Sequence, residues 1–234
     1  MSEGILLSKL AEGEGDHQDF KFCIKDSRKL AESISAFSNA SGGSVFIGVK
    51  DNGKVKGIDP EEEGFMVDAA ASMHCKPAVD CSLKVWETPE GKVLEVIIGE
   101  SAQKPVLART ENDRWRAFVR VNDINHLAPW ILTESWKVLQ SRNTTAYRHG
   151  PKGIRIFEAL RNAEALSQKE IEKKTRIPRP VLIKLMGRLL AWKIILLSWG
   201  ADGPLYSLNH ENPLSTLEED QSKVPFRKNK AMEK

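Results

Sequence analysis

The sequence predicts an α+β domain built on a mixed sheet, followed by a smaller module of three short helices and a hairpin. Three observations carry that prediction. Segments of helical and strand period alternate over the first part of the chain, with no internal repeat. A polar stretch at 141–152, SRNTTAYRHGPK, contains a Gly-Pro and separates this part from one with a different pattern. The charge also changes there: residues 1–150 hold 19 Lys and Arg against 22 Asp and Glu, whereas 151–210 hold 11 against 5. The expected layout is therefore a domain at 1–140, a linker at 141–152, a second domain at 153–210 and a polar tail at 211–234.

In the first domain, Ser27 is placed to cap a helix through Asn39, with Leu30, Ile34 and Phe37 at helical spacing. Ser41-Gly42-Gly43 ends it, and Ser44–Val49 reads as a buried strand. Asp51-Asn52-Gly53 predicts a hairpin turn into a second strand through Val55 and Ile58. An alanine-rich helix is expected around 62–73. Val79, Cys81, Leu83 and Val85 alternate with polar residues, Glu90-Gly91 turns, and Val93–Ile98 returns. Arg114–Val121 forms another strand, and a helix near 130–140 closes the domain. Arg114, Arg116 and Arg120 share one parity on that strand, so a basic stripe and a solvated strand face are equal alternatives.

In the second part, Ile154, Phe157 and Leu160 mark a first helix. Ser167-Gln168-Lys169-Glu170 has the form of a capping box opening a second. Pro178 and Pro180 introduce a third, with Leu182, Leu185, Leu189 and Leu190 on one face. Ile194–Trp199, a Gly200–Gly203 turn and Leu205–Leu208 make a hairpin. This order is the outline of a winged helix-turn-helix. Lys184 and Arg188 fall on the face of the third helix opposite the leucines; Lys173, Lys174, Arg176 and Arg179 lie on the approach to it. An apolar face for docking and cations for phosphates and base edges are what a recognition helix requires. Nucleic acid, duplex DNA first and structured RNA as the alternative, is the expected partner. Trp192 and Trp199 are expected to pack the hairpin on its helices.

Composition narrows the function classes. Hydrophobic content of 41% with 29% charged residues is that of a globular protein with a packed core. No stretch reaches the apolar length of a bilayer span and no signal-peptide pattern opens the chain, so a cytoplasmic protein without membrane contact is expected. Three cysteines, Cys23, Cys75 and Cys81, predict free thiols. A homo-oligomer is compatible with these features.

Several ordered motifs of the first domain resemble those of the Schlafen AlbA-type domain, also called divergent AAA-four. They are Asp19-Phe20-Lys21; Ile34-Ser35-Ala36-Phe37-Ser38-Asn39 with Gly42-Gly43; Ile47-Gly48-Val49-Lys50-Asp51-Asn52-Gly53 and Gly57-Ile58; Lys104-Pro105; and Phe118-Val119-Arg120. The resemblance covers about 1–130. It implies a bacterial regulator type in which the domain precedes a winged helix. Eukaryotic members that cleave structured RNA through three acids supply the alternative, a metal-dependent endoribonuclease. Carried over by position, the acids fall on Glu14, Asp19 and Asp51, with Lys21 beside them. Three such carboxylates would hold Mg²⁺ or Mn²⁺. The middle position departs from the family pattern, being Asp where the family has Glu. Because residues five apart on a regular strand face opposite sides, Glu14 and Asp19 meet only if the chain bends, which Gly13 and Gly15 permit. Asp51 has a second explanation in turn chemistry. ATP is not expected, since no Gly-x-x-x-x-Gly-Lys-Ser/Thr occurs. Zinc is not expected either, because His74, Cys75 and Cys81 have the wrong spacing and no fourth ligand.

Overall fold

The computed structural model describes residues 2–141 and 150–212. The expected linker thus lies largely, and the expected tail almost wholly, outside the described residues. The chain divides into two compact units, Met1–Ala128 and Pro129–Lys234.

The first unit opens with α1 (Ser2–Ala11), a helix the sequence reading did not anticipate, and β1 (Gln18–Lys21). Next come α2 (Ser27–Asn39) and β2 (Gly43–Ile47). α3 (Pro60–Asp68) runs into a π-helical turn at Ala69–Met73. The remaining elements are strands: β3 (Cys75–Lys76), β4 (Cys81–Thr88), β5 (Gly91–Ile98), β6 (Leu107–Arg109), β7 (Trp115–Val121) and β8 (Ile124–Leu127). They make two four-stranded sheets, ordered β1-β2-β5-β4 and β3-β6-β7-β8. β1 and β2 are parallel and every other pair is antiparallel, so the first sheet is mixed, as expected.

The central helix α2 is buried on almost every side from Leu30 to Asn39. Leu30, Ile34 and Phe37 pack with Val45, Ile47, Leu94, Val96 and Ile98 of the first sheet and with Val106, Ala108 and Phe118 of the second. α1 covers the other face of the first sheet, where Leu6 and Leu10 meet Phe20, Phe46, Trp86 and Val93. A helix packed between two sheets must satisfy polar groups as well as fill space. Ser35 Oγ donates to Val106 O at 2.8 Å, and Asn39 Nδ2 donates to Val106 O and Phe118 O, both at 2.8 Å. Asn39 Oδ1 accepts from Val106 N at 2.8 Å. The Ser-Ala-Phe-Ser-Asn motif is therefore the seam between α2 and the second sheet. Gly42 lets the chain turn from α2 into β2: its φ is +77°, and a Cβ would stand 2.8 Å from Ile98 O.

Some expectations are corrected. Asp26, not Ser27, caps α2, accepting from Arg28 N at 2.8 Å. The turn at Asp51–Gly53 forms, but the expected strand beyond it is only an isolated bridge between Val49 and Val55. The helix near 130–140 belongs by packing to the second unit.

In that unit α4 (Trp130–Gln140) is followed by α5 (Pro151–Arg161), β9 (Leu166–Ser167), α6 (Gln168–Thr175), α7 (Arg179–Ala191), β10 (Ile195–Gly200) and β11 (Gly203–Leu208). The capping box at Ser167 and Glu170 is present. The sheet order is β10-β11-β9. Ile156, Phe157, Leu160, Ile171, Leu182, Met186, Leu189, Ile195 and Tyr206 form the core, which also takes in Ile131 of α4. Close approach of α4 to α7 depends on Gly187, where a Cβ would lie 2.7 Å from Glu134 Cγ.

Candidate functional site

The first candidate site lies at the seam where the edge strands of the two sheets, β1 and β8, are held together by Arg120. The Arg120 side chain, from β7, is 1% exposed. Its Nε donates to Gly15 O at 3.0 Å, Nη1 to Asn125 Oδ1 at 3.0 Å and Nη2 to Gln18 O at 3.1 Å. Nη2 also pairs with Asp19 Oδ1 at 3.4 Å, and the guanidinium lies 5.0 Å from the Phe37 ring centroid. Asn125 in turn donates to Ser33 Oγ at 3.0 Å. One buried cation thus organises the segment from Gly15 into β1, together with β8 and α2. This corrects the basic-stripe reading: Arg120 faces inward and its charge is used within the protein.

Asp19 is buried on β1 and receives two cations, Arg120 and Lys21, the latter at 2.8 Å from Oδ2. Glu14 bends back toward it, and Glu14 Oε1 accepts the Phe20 N–H at 2.9 Å. Gly13, at φ +75°, supplies part of that bend. Gln18 Nε2 closes the loop on Gly13 O and on Lys9 O. Burial raises the Glu14 carboxyl above its ordinary range against the Phe20 hydrogen bond. A hydrogen bond shared with Asp19, and the charges of Asp19 and Asp51, add to that rise. The structure therefore brings Glu14 and Asp19 together. Asp51 stands exposed in its turn and acts on Glu14 through its charge. Its own neighbourhood is turn chemistry: Asn52 Oδ1 accepts Lys54 N at 3.2 Å, and Gly53 N donates to Lys50 O at 2.7 Å.

A divalent cation needs carboxylate oxygens free to coordinate it. Here Asp19 is engaged by Lys21 and Arg120, and Glu14 by Phe20. Among the described residues no group of three or more His, Cys, Asp or Glu is arranged to hold a metal. As arranged, the residues do not fit Mg²⁺ or Mn²⁺. Cys75 and Cys81 are thiols that burial pushes up to about 12 and about 11.

Sequence reasoning missed a second polar centre on the α1 face of the first sheet. Glu95 is 1% exposed, and its carboxylate accepts from Lys9 Nζ at 2.6 Å, Trp86 Nε1 at 2.8 Å and Ser44 Oγ at 2.9 Å. Burial would raise its pKa, but these hydrogen bonds outweigh burial and hold it below the ordinary range. A glutamate among apolar residues in Val93–Ile98 was the available signal.

The second candidate site is the cationic surface of the second unit. Lys173 and Lys174 lie in the last turn of α6. Arg176 follows in the left-handed conformation, at φ 53°, and donates its N–H to Glu172 O at 2.9 Å. Arg179 opens α7, within 3.9 Å of Glu172. Lys184 and Arg188 occupy the exposed sector of α7, away from Leu182, Met186 and Leu189. All six cations are exposed.

Among the described residues no helix is long and apolar enough to cross a membrane. No curated protein matches the chain significantly. Among solved structures the chain is similar to the DIP2311 protein from Corynebacterium diphtheriae. That likeness is 16% identical with a TM-score of 0.46, over 87% of this chain and 37% of that one, so the chain spans well under half of that protein. It is also similar to the N-terminal domain of a RecG-related protein from Nitrosomonas europaea. There the identity is 17% and the TM-score 0.41, over 64% of this chain and 96% of that domain. The family model described as Schlafen, AlbA_2 matches residues 14–129, from the first acid of the Arg120 seam to just past β8, and the first unit of this chain carries that domain.

Proposed function

We propose that this protein binds nucleic acid, duplex DNA foremost, through its second unit acting as a winged helix-turn-helix. In this reading it is a regulator whose Schlafen-type unit senses or assembles. The observation that carries it is the cluster of six exposed cations on α6, the following turn and α7, with Lys184 and Arg188 on the face of α7 turned from the core. Cations contacting phosphates release counterions, so affinity falls steeply as salt rises. Six phosphate contacts correspond to a slope of log affinity against log salt on the order of −5. Anisotropy titrations of the full chain with duplex DNA at increasing salt test this. No binding at low salt, or binding indifferent to salt, overturns it.

One observation favours a second reading, cleavage of structured RNA. Glu14 bends back beside Asp19, which sets two carboxyl groups side by side, and burial with the neighbouring acids raises the Glu14 carboxyl; paired carboxyl groups are what acid–base cleavage of a phosphodiester uses. Incubating wild type and a Glu14→Gln variant with structured RNA, with and without Mn²⁺, decides the matter. RNA left equally intact by both excludes the reading.

A further inference from the structure

The C-terminal turn of α1 touches both acidic segments of the first unit. Lys9 O accepts from Glu12 N at 3.1 Å and Leu10 O from Gly13 N at 3.3 Å, which leads the chain into the loop that carries Glu14. Gln18 reaches back from β1 to the same turn, its Nε2 donating to Lys9 O at 2.9 Å and to Gly13 O. The Asp51 turn meets this helix end as well: a Cβ on Gly53 would lie 3.3 Å from Leu10 O. α1 itself is seated on the first sheet by Leu6 and Leu10 in their apolar cluster and by Lys9 on Glu95 at 2.6 Å. The domain match begins at Glu14, so this helix precedes it.

We propose that Gln18 is a positioning residue for Glu14, and that the C-terminal turn of α1 is the joint to which it ties the acidic loop. Glu14 Oε1 accepts the Phe20 N–H at 2.9 Å, but one hydrogen bond does not order a loop with glycines on both sides of the acid, Gly13 at φ +75° and Gly15. The Gln18 amide supplies the constraint. It holds Gly13 O, one residue before Glu14, against Lys9 O of a helix packed on the sheet. Gln18 O meanwhile accepts Gly15 N at 3.0 Å and Arg120 Nη2 at 3.1 Å. One residue thus grips the chain on both sides of Glu14. Because the Asp51 turn rests on the same helix end, its charge stays within range of Glu14 although Asp51 is exposed. The catalytic meaning of this position rests on the RNA-cleavage reading; the position itself does not.

The test reads the position of Glu14 directly, by carbon-detected NMR titration of its side-chain carboxyl in the full chain. Gln18→Met removes the donor and keeps the length of the side chain, and losing one neutral hydrogen-bonding group leaves the fold in place. Released, Glu14 gains water and its titration midpoint should fall toward 4.5. With the loop still closed, the less polar neighbour would leave the midpoint as high or higher. Ser35→Ala, which loses a hydrogen bond of the α2 seam, is the control for general weakening and should leave the Glu14 midpoint unmoved. With structured RNA as substrate, Gln18→Met should lower kcat on the order of tenfold or more with little change in KM, since misplacing a reacting group costs that much. RNA left intact by wild type removes the cleavage reading, and the titration still decides the position of Glu14. A Gln18→Met midpoint at or above the wild-type value, or a Ser35→Ala midpoint lowered as far, overturns the proposal.

Discussion

Arg120 in the first unit and Lys184 with Arg188 in the second are cations of opposite design. Arg120 is sealed from water and uses its donors on two backbone carbonyls, an amide oxygen and a carboxylate. Lys184 and Arg188 stand exposed on α7, with no side-chain partner among the described residues. A charge consumed inside the fold organises a site, whereas a charge left outside is available to a partner. Local sequence does not separate the two, since each is a basic residue within an apolar pattern. Their surroundings separate them.

The largest expected effect is at Arg120. Arg120→Ala leaves Asp19 buried with Lys21 as its one remaining cation among the described residues and frees two backbone carbonyls, so the first unit should lose about 3–5 kcal/mol, the scale for breaking a buried pair. Urea unfolding followed by tryptophan fluorescence measures this; a loss below about 1 kcal/mol would put Arg120 with the surface cations.

Next is the response to pH, where two acids of the first unit should act in opposite senses. Glu14 is raised in the fold, so its contribution is present below its unfolded value of 4.5 and is lost as pH rises through its folded value. Glu95 is lowered, so its contribution is present above 4.5 and is lost as pH falls through its folded value. Thermal unfolding from acid to neutral pH should therefore show Glu95→Gln reducing the acid-side loss of stability. Glu14→Gln should reduce the decline toward neutral pH. The same sign for both variants would contradict the arrangement of hydrogen bonds described for one of them.

Lys184→Ala with Arg188→Ala should change stability by no more than about 0.5 kcal/mol. It should also make the salt slope of DNA binding shallower by about 2. A large stability loss would place these residues in the fold instead of on its surface. A further effect is expected in the core of the second unit, where the Tyr206 hydroxyl is fully buried and finds no hydrogen-bond partner among the described residues. Burial pushes this phenol up, and Tyr206→Phe should leave stability unchanged or raise it by about 1 kcal/mol. A clear loss would mean the hydroxyl has a partner.

What the sequence alone determined is local. The capping box at Ser167 and Glu170 was readable because its partners are three residues apart. The apolar period of α2, the Gly42-Gly43 turn and the three helices with their hairpin were readable because a few neighbouring residues specify backbone conformation. The approach of Glu14 to Asp19 was legible as a family pattern with glycines beside it. The tertiary structure alone decided which charges meet. Arg120 reaches Asp19 across 101 residues, and Lys9 reaches Glu95 across 86. It also decided that α1 covers a sheet and that α4 packs on α7. Strand period fixes the parity of a side chain but not which element covers that face. Whether a charge is buried and paired or left to solvent is settled only when distant elements pack, because desolvation and Coulomb attraction act through space and not along the chain.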